Sequence, residues 1–218
     1  MPRACLAGAT VSANAVKKAV EEALMPKHVA IIMDGNGKWA RDRKLVVGDG
    51  FRADGSGLND EIYRKLHTNR CQGAYNKLET KSKLPVSLQS SISWAEETSK
   101  CNKGMNLVMA ANYSGRDNVV QATKRITAKV EGGILRATDI DEVMFEQELM
   151  TNAVEFPNPD LLIRTSGDLT ISGFLLWQLA YTEFYFADKL FPDFGEDDLL
   201  QALASYGCRQ RRYSHRKN

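Results

Sequence analysis

The stretch that most constrains this chain is His28-Val-Ala-Ile-Ile-Met-Asp-Gly-Asn-Gly-Lys-Trp-Ala-Arg41. Val29 to Met33 is an unbroken apolar run rich in β-branched residues, the pattern of a strand buried on both faces. It stops at Asp34. Gly35, Asn36 and Gly37 follow, residue types that accept a sharp turn or a positive φ. Lys38, Trp39, Ala40 and Arg41 then open a helix. A carboxylate at the carboxyl end of a buried parallel strand lies where open α/β sheets place their ligands. Free amides at the start of the following helix suit a phosphate. Taken alone, Asp-Gly-Asn-Gly is more economically read as an ordinary turn. The rest of the chain decides between the two.

That rest alternates strands with helices. Ser12 to Leu24 has helical spacing, with Val16, Ala19, Val20 and Ala23 on one face, and Pro26 ends it. Residues 42–60 are polar and glycine-rich and read as a loop. Residues 70–81 have no clear period. Leu84, Leu88, Ile92 and Ala95 mark an amphipathic helix with Pro85 in its first turn. Met105 to Asn112 is a second buried strand, followed by a turn at Tyr113 to Arg116 and a helix from Asp117. Thr138 and Asp141 have capping-box spacing before another helix. Leu161 to Ile163 is a third strand, ending at Arg164. Phe174 to Tyr181 reads as a dense apolar helix, Glu183 to Phe186 as a strand, and Glu196 to Arg211 as a final helix with acidic residues first and arginines last. The expected fold is α/β, a mostly parallel central sheet flanked by helices. The expected organisation is a tail and helix over 1–25, one domain over 26–213 and a short tail over 214–218.

Charge and composition exclude several classes. The 29 basic residues nearly balance the 27 acidic ones, for a net charge of +2, so nothing points to nucleic acid. No apolar run approaches the length of a membrane span, which leaves peripheral contact with a membrane open. Cys5, Cys71, Cys101 and Cys208 have no metal-site spacing, and the three histidines are scattered. A reducing compartment is the default.

The second stretch with chemistry in it runs from Asp160 to Phe186. Arg164 puts a guanidinium at a strand end, suited to bidentate phosphate binding. Ser172 adds a hydroxyl. Glu183 is a further carboxylate, and Mg²⁺ prefers carboxylate and phosphate oxygens. Read singly, Arg164 is equally a strand-end ion pair, Ser172 a cap and Glu183 a paired buried acid.

Together, Met-Asp-Gly-Asn-Gly-Lys-Trp-Ala after a buried strand, Ala-Asn-Tyr-Ser-Gly-Arg116, Asp160-Leu-Leu-Ile-Arg-Thr-Ser-Gly-Asp168 and Ile171-Ser-Gly-Phe-Leu-Leu-Trp-Gln-Leu-Ala-Tyr-Thr-Glu-Phe-Tyr-Phe186 resemble the cis-prenyltransferases. This is the undecaprenyl and dehydrodolichyl diphosphate synthase family, with plant short-chain members. The resemblance covers 26–55 and 81–213. It implies condensation of isopentenyl diphosphate with an allylic diphosphate, with Mg²⁺ as cofactor, in a homodimer or heterodimer of the cytoplasm or a plastid. It implies Asp34 and Asn36 as catalytic residues, and Gly35, Gly37, Lys38, Trp39 and Arg41 on the allylic diphosphate. It further implies Arg164, Thr170 and Ser172 on isopentenyl diphosphate, and Asp34 with Glu183 on the metal. The final helix and the 177–186 region would lie near the dimer interface.

The sequence also departs from that family. The Phe-Ser-x-Glu-Asn-Trp loop, with a strand and adjoining helices, is missing between Gly55 and Glu61. Phe51 stands where the family has a histidine, Thr170 where it has a second arginine, and Ser214 where it has a glycine. A short product is expected if the chain is active. The alternative is a catalytically impaired homologue or a partner subunit. A phosphohydrolase with Asp34 as nucleophile ranks low, because Asn36 stands where that chemistry wants a second carboxylate.

Overall fold

The computed structural model describes residues 25–50, 71–73, 86–101, 105–108, 110 and 113–209. The helix expected over 12–24 and the departures at Phe51, Gly55 to Glu61 and Ser214 lie outside the described residues, as do 1–24 and 210–218 as a whole.

Three strands form the sheet that carries the site. They are β1 (Val29–Ile32), β4 (Leu161–Arg164) and β5 (Glu183–Phe186), in the order β1-β4-β5 and parallel throughout. A parallel pair needs a crossover, and here each crossover carries helical turns. A second, two-stranded parallel pair joins β2 (Cys71–Gly73) to β3 (Met105–Leu107). The expected strand over 105–112 is therefore shorter, and 70–81 contributes a short strand. The expected double burial falls on β4, whose four residues are all buried, because it is the central strand. β1 is half-buried except for Ala30.

Alternation along the strands gives the sheet two apolar faces. Ala30 and Leu162 point to one, where Leu175 and Leu179 cover them with Tyr113, Phe174 and Phe184. Leu161 and Ile163 point to the other, against Ala202 and Tyr206 of the final helix α5 (Glu196–Gly207), flanked by Val29, Ile31, Leu199 and Leu203. Glu196, Asp197 and Asp198 occupy the first turn of α5, where the helix dipole favours anions. Asp198 also accepts the Gly195 amide at 2.9 Å.

The other helices are α1 (Asn36–Asp42), α2 (Val86–Ser99), α3 (Gly115–Glu131) and α4 (Glu142–Gln147). Ser114 caps α3 by accepting from the Asp117 amide, and Asp141 caps α4 through the Met144 amide. Thr138 lies in the short 3-10 turn before α4 and takes no part in that cap. Two expectations change. Residues 47–50 are helical instead of loop. The expected 174–181 helix is a run of turns ending in a 3-10 segment at Gln178–Tyr181. Gly173, Ser172 and Leu175 sit at positive φ there, which a right-handed helix cannot include.

At the amino end of the sheet, the Lys27 and His28 amides both donate to Asp160 Oδ2, at 2.7 and 3.1 Å. Burial pushes the His28 imidazole below its ordinary value, against a backbone hydrogen bond at Phe156 and the Asp160 charge, which raise it. The folded state thus binds this proton more weakly than the unfolded chain. Its stability contribution is complete above the ordinary histidine value of about 6.5 and is lost as pH falls below it. His28→Gln is expected to flatten the fall of the urea midpoint between about pH 7.5 and 5.5. An unchanged slope assigns that fall to other groups.

Candidate active site

Parallel strands end together, so the residues following β1 and β4 meet at the carboxyl edge of the sheet. Asp34 lies two residues beyond β1, and Arg164 is the last residue of β4. Arg164 Nη2 donates to Asp34 Oδ2 at 2.6 Å and to Asp168 Oδ2 at 3.1 Å. Its Nη1 donates to Thr170 Oγ1 at 2.6 Å, to Ser172 Oγ at 2.9 Å and to the Thr170 carbonyl. The arginine side chain is 5% exposed, against 38% for Asp34 and 67% for Asp168. The site is therefore a buried cation with carboxylates on its solvent side. Burial pushes the Asp34 carboxyl up. The Arg164 hydrogen bond, the Gly35 amide and the Arg164 charge hold it below the ordinary carboxylate value all the same.

The loop that follows β4 folds around this guanidinium. Ser166, Ser172 and Leu175 have φ of 80°, 48° and 47°, with Gly167 and Gly173 also positive. Non-glycine residues in that region persist only where their surroundings hold them, and here Arg164 grips Thr170 and Ser172 between them.

On the Asp34 side, Gly35 has φ 103° and precedes α1. A Cβ there would meet Leu190 Cδ2 at 2.8 Å, so the position requires glycine twice over. α1 starts at Asn36, two residues earlier than the sequence reading. Its first return bond runs from the Trp39 amide to the Gly35 carbonyl at 2.8 Å, and the amides before it have no partner within the helix. Asn36 is buried, and its Oδ1 has no hydrogen-bond partner among the described residues. Lys38 and Arg41 are exposed on α1. Trp39 is engaged elsewhere. Its indole N–H donates to Asp193 Oδ1 at 2.7 Å, and Arg43 stacks on its ring at 4.2 Å while also reaching Asp193.

The two sequence motifs thus meet through Asp34 and Arg164, with Thr170 and Ser172 on the same guanidinium. Glu183 does not join them. It opens β5, in register with Leu161 and Val29, so it lies at the amino end of the sheet while Asp34 lies beyond the carboxyl end. Its carboxylate accepts from Arg209 Nη1 at 3.2 Å. Within one chain, Asp34 and Glu183 cannot share an ion. Among the described residues no three His, Cys, Asp or Glu side chains gather.

Sequence reasoning missed Thr165, Asp168 and Asp193. Thr165 and Asp168 lie in the stretch that resembles the family but were given no role there, although they follow the strand-end arginine by one and four residues. Asp193 reads from the sequence only as a turn residue, since its partners Trp39 and Arg43 lie more than a hundred residues away.

A family model described as putative undecaprenyl diphosphate synthase matches residues 56–214. A chloroplastic (2Z,6Z)-farnesyl diphosphate synthase of Solanum lycopersicum is 43% identical over 226 residues, covering 87% of this chain and 79% of that protein. Dehydrodolichyl diphosphate synthase 2 of Arabidopsis thaliana is 42% identical, covering 89% of this chain and 76% of its own length. The crystal structure of lavandulyl diphosphate synthase from Lavandula x intermedia, in complex with dimethylallyl diphosphate, superposes with a TM-score of 0.77 at 41% identity, covering 88% of this chain and 99% of that one. In the Solanum comparison, 87% of 218 residues is about 190, so about 36 of the 226 aligned positions have no counterpart here. No helix among the described residues is long and apolar enough to cross a membrane.

Proposed function

This chain belongs to the undecaprenyl diphosphate synthase family of cis-prenyltransferases, enzymes acting on isoprenoid diphosphates, and we propose that it condenses isopentenyl diphosphate with a short allylic diphosphate. The observation that carries this reading is the 2.6 Å contact of Asp34 with Arg164, which unites two motifs 130 residues apart. The isopentenyl diphosphate binds at Arg164 and Ser172, with Thr170 adding its hydroxyl. The buried guanidinium neutralises the anion and its planar fork orients it. The allylic diphosphate lies over the first amides of α1, with Gly35 and Gly37 allowing close approach and Lys38 and Arg41 supplying charge. Trp39 acts through Asp193 to hold α1 in place.

Asp34 is the residue that fits Mg²⁺. Its carboxylate is partly exposed and held ionised by Arg164, and Mg²⁺ needs only one or two carboxylates beside phosphate oxygens. When bound there, the ion supplies Lewis-acid pull on the departing diphosphate. Glu183 could contribute only from a second subunit. The Asn36 carboxamide, two residues after Asp34, has an Oδ1 with no hydrogen-bond partner among the described residues and assists the proton step. A dimer through the outer edge of β5 and α5, and a plastid location such as several relatives' names state, complete the proposal.

The test incubates the protein with Mg²⁺, labelled isopentenyl diphosphate and dimethylallyl, geranyl or farnesyl diphosphate in turn. A product lost in Asp34→Ala is the expected result, and its chain length and double-bond geometry assign the subclass. No product from protein that melts cooperatively favours the impaired-homologue reading, motivated by the unaligned positions and by Thr170.

A further inference from the structure

Asp34 follows a strand but is not in it, so the β1–β4 ladder does not fix its peptide. Something else has to. Its amide hydrogen donates to Thr165 Oγ1 at 2.9 Å, and the Thr165 hydroxyl donates back to the Asp34 carbonyl at 2.7 Å. One hydroxyl proton serves one strong acceptor, and the alternative, the Ile32 carbonyl, is farther at 3.3 Å. Thr165 is fully buried, so no water competes for these bonds. Its own amide continues the ladder by donating to the Ile32 carbonyl at 3.3 Å. A single side chain anchored to the central strand therefore holds both polar groups of Asp34's backbone. The adjacent residue, Arg164, holds the carboxylate.

We propose that Thr165 is the positioning residue for Asp34, fixing the direction in which that carboxylate leaves the backbone. This rests on the reading of Asp34 as catalytic. A bare ladder ending at Ile32 would let the Asp34–Gly35 segment swing, and Gly35 at positive φ is a natural pivot. The Phe191 amide also donates to the Asp34 carbonyl, at 3.0 Å, and the Asp34 N–H also reaches the Ile32 carbonyl, at 3.1 Å, but that second bond is local to two residues back and does not tie Asp34 to β4. Reacting groups misplaced by about 1 Å can lose about a hundredfold in rate, so an error of this size matters.

Thr165→Val keeps the shape and deletes both bonds. Thr165→Ser keeps both bonds and deletes a methyl group. The expected result is a kcat lower by about ten- to a hundredfold in Thr165→Val, KM for both substrates within about threefold, and Thr165→Ser within about threefold of the parent. Leu199→Ala, on the α5 face of the sheet, serves as a control for general destabilisation and is expected to leave kcat unchanged below its melting range. Amide hydrogen exchange gives a readout that needs no turnover. In Thr165→Val the amides of Asp34, Gly35 and Asn36 are expected to exchange at least about tenfold faster while those of β4 and β5 hold their rates. A uniform acceleration across the sheet, or serine failing to rescue, overturns the proposal. Should Thr165→Val not fold, Thr165→Ala is read by the same criteria. A parent chain that makes no product refutes the enzyme reading alone, and the exchange pattern still decides the clasp.

Discussion

Arg164→Met is expected to reduce product formation by about two to three orders of magnitude and to raise KM for isopentenyl diphosphate. The variant removes a cation that is buried and has four side-chain acceptors: Asp34, Asp168, Thr170 and Ser172. Two of these, Thr170 and Ser172, hold a loop whose backbone is at unfavourable φ. Breaking a buried ion pair by deleting one partner costs about 3–5 kcal/mol in general. The partly exposed Asp34 can turn to water, so the lower end applies. Arg164→Lys separates the two roles. Lysine restores a charge but not a planar fork, and cannot face Asp34 and Ser172 together. It is expected to recover stability more than activity. Steady-state kinetics and thermal melts of the two variants check this. If Arg164→Met retains activity within tenfold of the parent, the cluster is not where the diphosphate binds.

Gly50→Ala is expected to destabilise the protein by about 3 kcal/mol or more, because overpacking against backbone exceeds the ordinary range for an added methyl group. The new Cβ would stand 2.0 Å from the Asn36 carbonyl oxygen and 2.8 Å from its carbon, with Ala40 Cβ at 3.2 Å. The two nearest are main-chain atoms of α1, so no side-chain rotation can relieve the clash. The 47–50 turn must move off α1 or push Asn36 out of the site. Gly48→Ala is the matched control. It lies in the same helical turn, is exposed, and its Cβ would meet nothing within 4 Å. Alanine's better helix propensity should there raise stability by up to about 1 kcal/mol. For a domain of this size the two substitutions should part by about 8 °C or more in Tm. Equal melting temperatures would mean that 47–50 does not pack against α1 in solution.

Most of the site was legible in the sequence because strands buried in a parallel sheet announce themselves as short apolar runs, and the residue just past such a run is at the carboxyl edge. That logic puts Asp34 at a carboxyl edge and Arg164 at a strand end, and the parallel sheet brings the two together. It could also have excluded Glu183 from their company. Glu183 precedes its strand, and in a parallel sheet the residue before a strand is at the far edge from the residue after one. The resemblance, which pairs Asp34 with Glu183, overrode that simple geometry. The helix expected over 174–181 failed for another reason. Apolar density shows burial but not period, and Leu175 and Leu179 cover the sheet from irregular turns once Gly173 has broken the helical path. Strand order was not legible, since nothing local says that β4 stands between β1 and β5. The Trp39–Asp193 bond likewise depends on a distant loop that only the closed fold brings near.

The pairing of β1 with β4 also has a consequence in time. A ribosome adds roughly 5–20 residues per second, and Asp34 and Arg164 are separated by 130 positions. The apolar run 29–33 therefore leaves the tunnel roughly 7 to 26 s before the strand that covers it does. Through that interval the nascent chain carries a strand whose partner among the described residues has not yet emerged. The yield of this protein in a cell should depend on what shields residues 29–33 until residues 161–164 have emerged.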